Sequence, residues 1–574
     1  MKRTRFFCSA PPEGRSGFRN RRSRLCGALS LLAFAAGLLV LPGCLFSYLM
    51  GKPEKELSDL VDTEVVADKP KATKFVSDYA GPWGVRYMKA ESVSLVSSLA
   101  GTGSDPDPSS QRDVLIGEMR RRDVDQPNRV LADPGTSLVL CRVLIPPGVK
   151  EGDRVDVEVR TRSRSKTTSL EGGWLMASHL QEIAVLGNQL RRGHVLAVAA
   201  GPLVCDSAFV DDQNADPVLK TRARVLGGAV VNQTRPLGLS IFDEKSSVVI
   251  SSRIAGAING RFHVFDQGAK RGVATPKRDD FIEIALPRRY EHNVVRFMAA
   301  VRAVAVGESD SRRADRILKL EEELKRPDTA RAAALELEAI GREGVDSLKR
   351  GLASDNPEIR FYVAEALAYL DEAAAAPVLR EAAAGEPAFR YHALIALASM
   401  DHGAAYDQLE RLLHSDSAET RYGAFRALRD RSPDLPMMIG EKLGDEGLYS
   451  LHRVPSPTPP LIHFSRYDRP EIVVFGEAPR IRLPLMLLIG HEITLTTTDE
   501  GRIRVAHHVS GGTDRVALAD ANVPDLIHAV AQAGGSYAQA LGVVKQAKAE
   551  GAIDCRIAVG ATPWAGREYY RGRE

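Results

Sequence analysis

Two histidine-containing stretches are the residues whose types and spacing come closest to metal chemistry. His491-Glu492 begins like the H-E-x-x-H pattern that binds zinc, but position 495 is Leu, so the second ligand is missing. His507 and His508 are adjacent, and neighbouring side chains on a strand point to opposite faces. The sequence has no C-x-x-C pair, no G-x-S-x-G motif and no phosphate-binding G-x-x-x-x-G-K-[ST] loop. We therefore predict no catalytic residue, no metal site and no cofactor.

Cys44 is the residue best placed for a covalent modification. The first 24 residues carry eight Lys and Arg side chains against one acidic side chain, Glu13. Residues 25–41 are then apolar except for Ser30. A basic stretch followed by an apolar one is typical of an export signal, and 17 residues are short for a spanning helix, which needs about 20. We therefore predict that residues 1–43 are a signal peptide.

The end of this signal carries a recognisable tetrapeptide. Leu41, Pro42, Gly43 and Cys44 together resemble the lipobox of bacterial lipoproteins, in which the thiol takes up diacylglycerol and the small residue before it admits a peptidase. Two or three acyl chains anchor stably, since each buried methylene contributes about 0.8 kcal/mol. The resemblance implies lipidation of Cys44, and Leu45 in the next position favours the outer membrane over the inner one. The alternative is an uncleaved signal anchor that ends at Cys44.

Composition and length limit which partners and how many domains we expect. The 574 residues include 77 basic and 74 acidic side chains, and this balance gives no reason to expect a nucleic-acid partner. The length suggests three or four domains. Cys141 and Cys205 are either a disulfide or buried thiols, and the sequence leaves both open.

The exported chain divides into segments that differ in composition and predicted secondary structure. Residues 44–75 are predicted to be a tether and residues 76–307 a β-rich part, with strands at 138–145, 155–159, 195–199, 237–241 and 282–286 and helices at 246–259 and 294–304. Residues 308–445 are Ala- and Leu-rich and helical, residues 446–469 are a Pro-rich linker, and residues 470–574 return to strands followed by two helices.

A repeat organises the helical stretch. Arg331, Arg360, Arg390 and Arg421 each open a similar helical segment, and their spacings are 29, 30 and 31 residues. A period near 30 with paired helices is typical of an α-solenoid, and it resembles the short HEAT-type repeat. The alternative is an unrelated Ala-rich helical bundle.

Six segments, in chain order, resemble the family of flagellar P-ring proteins. They are LAGTG (99–103), IPPGVKEGDRVDVEV (145–159), SLEGGWLM (169–176), AVAAGPL (197–203), RIAGAIN (253–259) and VKQAKAEGAIDCRI (544–557). The residues that carry the family motifs are Gly101, Gly103, Gly152, Asp153, Gly172, Gly173, Gly201, Pro202 and Arg253.

This resemblance implies an α+β multidomain protein in which a β-rich P-ring-like domain is interrupted by a helical, HEAT-like solenoid. Replacing residues 310–460 by a short linker is then expected to leave a folded protein. The implied function is structural, with self-association into a ring on the periplasmic side of the envelope, against a flagellar rod or peptidoglycan, and with a protein partner on the solenoid. Two alternatives stay open: a lipoprotein adaptor unrelated to motility, and an enzyme, for which repeats of this kind are the only hint.

Overall fold

The computed structural model describes residues 73–571, except 187–188, 211–215, 267, 445–447, 491 and 509–512. The predicted signal peptide, the lipobox residues Leu41, Pro42, Gly43 and Cys44, and His491 all lie outside the described residues. The described residues form one compact unit of mixed α and β structure, as the predicted fold class requires.

A closed antiparallel barrel forms the first part of this unit. Its strands alternate in burial: in the predicted strand at 138–145, Val139, Cys141 and Val143 are buried while Leu144 is exposed. The elements are β1 (Ala80–Trp83), β2 (Met88–Ser97), α1 (Ser110–Arg121), α2 (Pro127–Leu131), β3 (Ser137–Ile145), β4 (Arg154–Thr161), β5 (Trp174–Leu186), β6 (Gln189–Pro202), β7 (Val204–Cys205) and β8 (Arg222–Val231). The sheet order is β4-β3-β2-β5-β6-β8, and β8 also pairs with β4. These six strands therefore form the closed barrel.

A strand–helix unit follows the barrel and uses β1 as one of its strands. Its other elements are β9 (Leu237–Ile241), α3 (Val248–Arg261), β10 (His263–Asp266), β11 (Ala269–Gly272), β12 (Ala274–Pro276), β13 (Phe281–Ile284) and α4 (Val294–Arg302). The sheet order is β1-β9-β13-β12. Helix α3 begins at Val248 because the Ser247 hydroxyl caps it by accepting a hydrogen bond from the Ile250 amide at 3.1 Å.

The predicted repeats fold as an array of helices in two rows. The helices are α5 (Asp310–Leu324), α6 (Pro327–Ile340), α7 (Val345–Gly351), α8 (Pro357–Tyr369), α9 (Ala375–Gly385), α10 (Pro387–Ser399), α11 (Gly403–Leu412), α12 (Ala418–Arg431) and α13 (Pro436–Ile439). Helices α6, α8, α10 and α12 form the first row, in which each helix packs on the next. Helices α5, α7, α9 and α11 lie beside them as the second row.

Two sheets and two helices complete the chain. They are built from β14 (Glu441–Leu443), β15 (Tyr449–Val454), β16 (Leu461–Phe464), β17 (Glu471–Phe475), β18 (Met486–Ile489), β19 (Ile493–Thr497), β20 (Ile503–His507), β21 (Arg515–Ala519), α14 (Val523–Gln532), α15 (Tyr537–Ala549) and β22 (Arg556–Val559). The sheet orders are β14-β15-β17-β16-β22 and β18-β19-β20-β21.

The prediction of a linker at 446–469 is wrong. That range contains β15 and β16, which are buried almost throughout in the five-stranded sheet. The four prolines that suggested a linker occupy only the loop between these strands, where the missing amide donors cost no ladder hydrogen bond.

The hydrophobic cores distinguish the barrel from the strand–helix unit, although Val204, Phe209 and Leu226 of the barrel range pack into the core of the C-terminal sheets. The barrel has its own core of residues between Ala90 and Val231. The strand–helix unit does not, because its core continues from Ile254 and Phe297 through Leu367 in the array to Phe475 in β17. This continuity argues against the expectation that residues 310–460 can be replaced without unfolding the rest.

Candidate interaction surfaces

Three of the family-like segments meet at one end of the barrel. Strand β5 lies between β2 and β6, so its first residues pair with the end of each: Leu175 lies opposite Val96 on one side and opposite Gly201 on the other. Pro202 is the next residue of β6. In the loop after β2, the Thr102 hydroxyl donates a hydrogen bond to the Ser169 carbonyl at 2.8 Å. Residues far apart in sequence are therefore joined by the register of the sheet.

Glycine is required at this end for close packing. A Cβ on Gly173 would lie 2.6 Å from Val96 Cγ1, and one on Gly103 would lie 2.0 Å from the Thr136 carbonyl oxygen. Gly101 and Gly172 lie in the loops beside them. These motif residues shape the barrel end and carry no group that could react.

The segment at 145–159 lies at the opposite end of the barrel. Gly152 and Asp153 form the turn between β3 and β4, in which the Asp153 carboxylate accepts a hydrogen bond from the Lys150 amide at 2.7 Å. Just before them, Gly148 packs against side chains of the strand–helix unit, including Leu286 and Val294. This end therefore faces the strand–helix unit.

Helix α3 presents an unusual exposed face. Arg253 is exposed on it, whereas Ile254 and Ile258 of the same motif are buried in the core. Val248 and Val249 in the first turn are 69% and 67% exposed, although both are large apolar residues. Exposed apolar residues that cluster on one element mark a candidate contact surface.

A second apolar surface lies on the outer face of the β18–β21 sheet, which we call the sheet face. Met486 is 83% exposed, and Leu488, Val516 and Leu518 are also exposed. The register places Met486 and Leu518 in one row across the sheet, with Arg504 between them. The opposite face of this sheet packs against α14 and α15, so only one side is covered by the chain. From sequence, these apolar runs are indistinguishable from strands buried on both faces.

The repeat arginines hold the turns that precede their helices. Arg360 Nη1 donates to the carbonyls of Ser354 and Asp355, both at 2.8 Å. Arg390 Nε donates to the Ala383 carbonyl at 2.9 Å, and Arg421 Nε donates to the Ser415 carbonyl. The Ala383 carbonyl lies in the last turn of α9, where carbonyls lack partners within the helix, and the Ser354, Asp355 and Ser415 carbonyls lie in the loops before α8 and α12. One arginine per repeat thus satisfies carbonyls of the connection that precedes its helix.

Arg331 does not share this role. The first-row helices begin at Pro327, Pro357, Pro387 and Ala418, so the position equivalent to the other three arginines is Ala330. Arg331 is exposed and lies over the Tyr362 ring at 5.9 Å. In its place, the Thr329 hydroxyl donates to the Glu323 carbonyl at 2.6 Å. The phase predicted at Arg331 is thus wrong by one residue.

Buried ion pairs fasten the array at its start. Arg296 of α4 donates to Glu338 of α6 at 2.6 Å and pairs with Glu365 of α8 at 2.5 Å. Tyr290 donates to the other oxygen of Glu338 at 2.8 Å and stacks on Tyr369. Burial raises the pKa of Glu338, and Arg296 opposes that rise.

A second junction lies at the far end of the array. Glu471 of β17 accepts a hydrogen bond from the Tyr422 hydroxyl at 2.6 Å and pairs with Arg429, both residues of α12. His463 of β16 stacks on Tyr422 with 3.6 Å between ring centroids. Sequence reasoning missed both junctions, because each consists of ordinary charged residues separated by 40 residues or more.

Cys141 and Cys205 lie on different strands of the barrel sheet. Across the sheet, one row of paired residues runs through β3, β4, β8 and β7 and consists of Cys141, Val159, Ala223 and Cys205. The two cysteines are thus three strand spacings apart, about 14 Å measured along the curved sheet. Both are buried free thiols. Among the residues that the structure describes, no group of three His, Cys, Asp or Glu side chains could hold a metal ion, and no helix has the length and apolar content to cross a membrane.

Comparison with known proteins gives a consistent result. The family model "Flagellar P-ring protein" matches residues 76–318. A flagellar P-ring protein of Thermotoga petrophila is 26% identical over 244 residues, which are 41% of this chain and 67% of that protein. Those of Pseudothermotoga lettingae and Geobacter sulfurreducens are 28% and 26% identical over 242 and 268 residues, covering 40% and 45% of this chain and 66% and 67% of theirs.

The match covers the barrel and the strand–helix unit and ends in α5. The chain spans about two thirds of the length of these relatives. The resemblance at 544–557 lies beyond the matched range and stays a prediction. Proteins of the matched family are structural, which supports the prediction that this chain is not an enzyme.

Proposed function

We propose that this protein is a structural subunit of the P-ring type, which works in the periplasmic part of a bacterial cell envelope by packing side by side with copies of itself. The observation that carries the proposal is the family match over residues 76–318, a range that folds here as a closed barrel joined to a strand–helix unit. The partners implied are further copies of the chain and the flagellar rod or a related envelope structure.

Ring formation needs two different surfaces on each subunit, because a head-to-tail contact joins unlike faces. The start of α3, with Val248 and Val249, and the sheet face, with Leu488 and Leu518, meet this requirement. The acidic residues that precede α3 and the arginine of the sheet face have opposite charges, while Arg253 on α3 has the same sign as Arg504. Asp243 and Glu244 are exposed just before α3, and Arg504 is exposed at the centre of the sheet face. We propose that these two surfaces form the contact between neighbouring subunits.

The experiment uses lipid-free protein, residues 46–574, in two variants. Val249→Glu places a charge on the α3 surface, and Leu488→Glu places one on the sheet face. Analytical ultracentrifugation of the unaltered protein should show association that grows with concentration, and electron microscopy should show curved or closed assemblies. Each variant alone should stay monomeric.

A mixture of the two variants decides the type of contact. Each variant keeps one intact surface, so an equal mixture should form dimers and nothing larger. A contact between like surfaces would instead give dimers in one variant alone. A strict monomer at all concentrations, in solution and on lipid monolayers, would rule out the ring subunit.

Anchorage is a separate part of the proposal. We propose that the chain is cleaved before Cys44 and held to a membrane, with the outer membrane favoured, by acyl chains on that thiol. Cys44→Ser should abolish labelling by a radiolabelled fatty acid and leave an unprocessed precursor. Normal cleavage and detergent-free solubility of both forms would rule out the anchor.

We also propose that residues 308–445 are a HEAT-type insertion in the P-ring-like domain. Two observations support it: the helices lie in two rows, and first-row helices begin 30, 30 and 31 residues apart. Such arrays usually present a face to other proteins. A second candidate function follows, an adaptor that binds a protein partner through the array, and a segment of the chain itself that lies on the first row favours it.

A further inference from the structure

The last described residues of the chain, 560–571, run across the first row of helices after leaving β22, and we call them the tail. Pro563 packs against Gly423 of α12. Further along, Arg567, Tyr569 and Arg571 each contact a different helix. The tail therefore crosses the array from α12 towards α6.

Alternate residues of the tail contact successive helices. Arg567 Nη1 donates to Glu419 Oε2 of α12 at 2.9 Å. The Tyr569 ring stacks on Phe389 of α10, with 4.7 Å between centroids. This two-residue alternation is the geometry of an extended chain that turns every second side chain to the same surface.

Arg571 makes the densest set of contacts. Its Nε and Nη2 donate to the two oxygens of Glu358 on α8 at 2.7 and 3.0 Å, the paired geometry that guanidinium and carboxylate favour. Its Nη2 also donates to the Pro327 carbonyl of α6 at 3.0 Å, and its Nη1 pairs with Asp328. The arginine thus bridges the first two helices of the row.

The residues that receive the tail recur with the repeat. Asp328, Glu358 and Glu419 are each the second residue of a first-row helix, and Phe389 is the third residue of α10. An acidic residue in the first turn stabilises the helix dipole even when it is exposed. Glu358 is different, because with the tail in place its side chain is only 4% exposed, and a carboxylate buried in this way needs a partner. Arg571 supplies the cationic partner, beside a hydrogen bond from the Tyr362 hydroxyl to Glu358 at 3.0 Å.

We infer that this surface of the first row is a binding site for an extended peptide with the pattern Arg-x-aromatic-x-Arg, and that the tail fills it from within the same chain. Carboxylates spaced by the repeat recognise the arginines, and Phe389 recognises the aromatic ring between them. A partner that carries this pattern must displace the tail before it binds. The inference does not rest on ring formation, since it concerns residues outside the family match.

The test measures binding of a fluorescein-labelled synthetic peptide with the sequence of residues 561–571 by fluorescence anisotropy. The proteins are residues 46–574 unaltered and the same chain with Arg567→Ala, Tyr569→Ala and Arg571→Ala, which releases the tail. A tethered segment competes at an effective concentration that reaches the millimolar range. The tail-released variant should therefore bind the peptide at least about tenfold more tightly than the unaltered chain.

Two controls make the result specific. In the tail-released variant, Glu358→Gln should weaken binding at least about tenfold, since it removes a charge-assisted pair, whereas Glu381→Gln on α9 should leave binding unchanged. A peptide of the same composition with the alternation broken should bind at least about tenfold more weakly. Binding should also weaken as salt is raised, as expected for ion pairs that are partly exposed.

Equal binding by both proteins, no binding by either, or equal binding of the rearranged peptide would overturn the inference. If the triple variant does not fold, Arg571→Ala alone replaces it, and it should bind the peptide at least about threefold more tightly than the unaltered chain. Failure of this single variant to gain affinity would also overturn the inference.

Discussion

The two halves of the family-matched range are held together in different ways. The barrel has a core that contains no residue of the helical array. The strand–helix unit shares one core with the array, and Arg296 joins them through two buried carboxylates. In the matched range, the core of the barrel thus contains no residue of the array, although Val204, Phe209 and Leu226 pack with the C-terminal sheets. The strand–helix unit, in contrast, is completed by residues of the array.

This difference bears on whether the array is an insertion that can be removed without unfolding the rest. Insertions are tolerated when they leave through an exposed loop and touch little else. Here the chain re-enters the sheet region through β15 and β16, and α12 packs on that sheet through Tyr422, Arg429 and Glu471. The array is therefore a structural part of the unit that contains it.

Removing the array should break the strand–helix unit and spare the barrel. Replacement of residues 310–460 by Gly/Ser linkers deletes most of the shared core and leaves Arg296 without its partners. Measured by hydrogen exchange and mass spectrometry, amides of β9 and α3 should exchange about 10³-fold faster or more, while those of β3 and β4 keep their protection. Wild-type protection in α3, with any linker length, would show that the unit is autonomous and that this contrast is wrong.

Breaking only the first junction should have a smaller effect in the same place. Arg296→Met leaves Glu338 and Glu365 buried without their cation, and it should lower the free energy of unfolding by about 3–5 kcal/mol in urea. Arg253→Met, at an exposed arginine of α3, is the control and should change it by less than about 0.5 kcal/mol. Exchange in β3 should be unaffected by either variant.

The loss of stability caused by Arg296→Met should depend on pH in a definite direction. Burial raises the pKa of Glu338, and the substitution removes the arginine that opposes the rise. A carboxyl whose folded pKa is raised stabilises the fold below its unfolded pKa, about 4.3, and that stability is lost as the pH rises through the folded value. The destabilisation by Arg296→Met should therefore be smaller near pH 4.5 than at pH 7, and a constant difference would contradict it.

Within the array, Arg390, which is in phase with the repeat, should contribute more to the free energy of unfolding than Arg331, which is one residue out of phase. Arg390 is 7% exposed, donates to the Ala383 carbonyl and pairs with Glu419 at 2.8 Å. Arg390→Ala should cost about 1–3 kcal/mol, since it leaves carbonyl and carboxylate groups unsatisfied. Arg331→Ala, one residue out of phase, should cost less than about 1 kcal/mol in the same urea titration. Equal losses would show that phase does not determine the role.

Local sequence patterns predicted much of this fold, but they could not predict contacts between residues that are distant in sequence. An apolar run located β3, alternation located β4, and the 30-residue period located the first-row helices, because all three signals are local. Prolines suggested a linker where β15 and β16 are buried, since strands of six and four residues that include Ser450, His452 and His463 are too short for a clear periodicity. The tail site could not be predicted, because Arg571 and Glu358 are 213 residues apart.

The smallest effect on stability is expected in the barrel, where the sequence did not decide whether Cys141 and Cys205 form a disulfide. Cys141 and Cys205 are separated by three strand spacings along the sheet, so a disulfide would require the backbone to move. Burial also raises the pKa of Cys141 to about 12, which keeps the thiol protonated and unreactive near neutral pH.

Added reductant should therefore shift the melting temperature of residues 46–574 by less than about 1 °C, because there is no cross-link to remove. A thiol reagent should titrate none of the three cysteines in the native protein and all three in denaturant. A single reactive thiol in denaturant would mean that two are paired and that the barrel is cross-linked. The expected result instead leaves packing and strand closure as the source of the barrel's independence from the array.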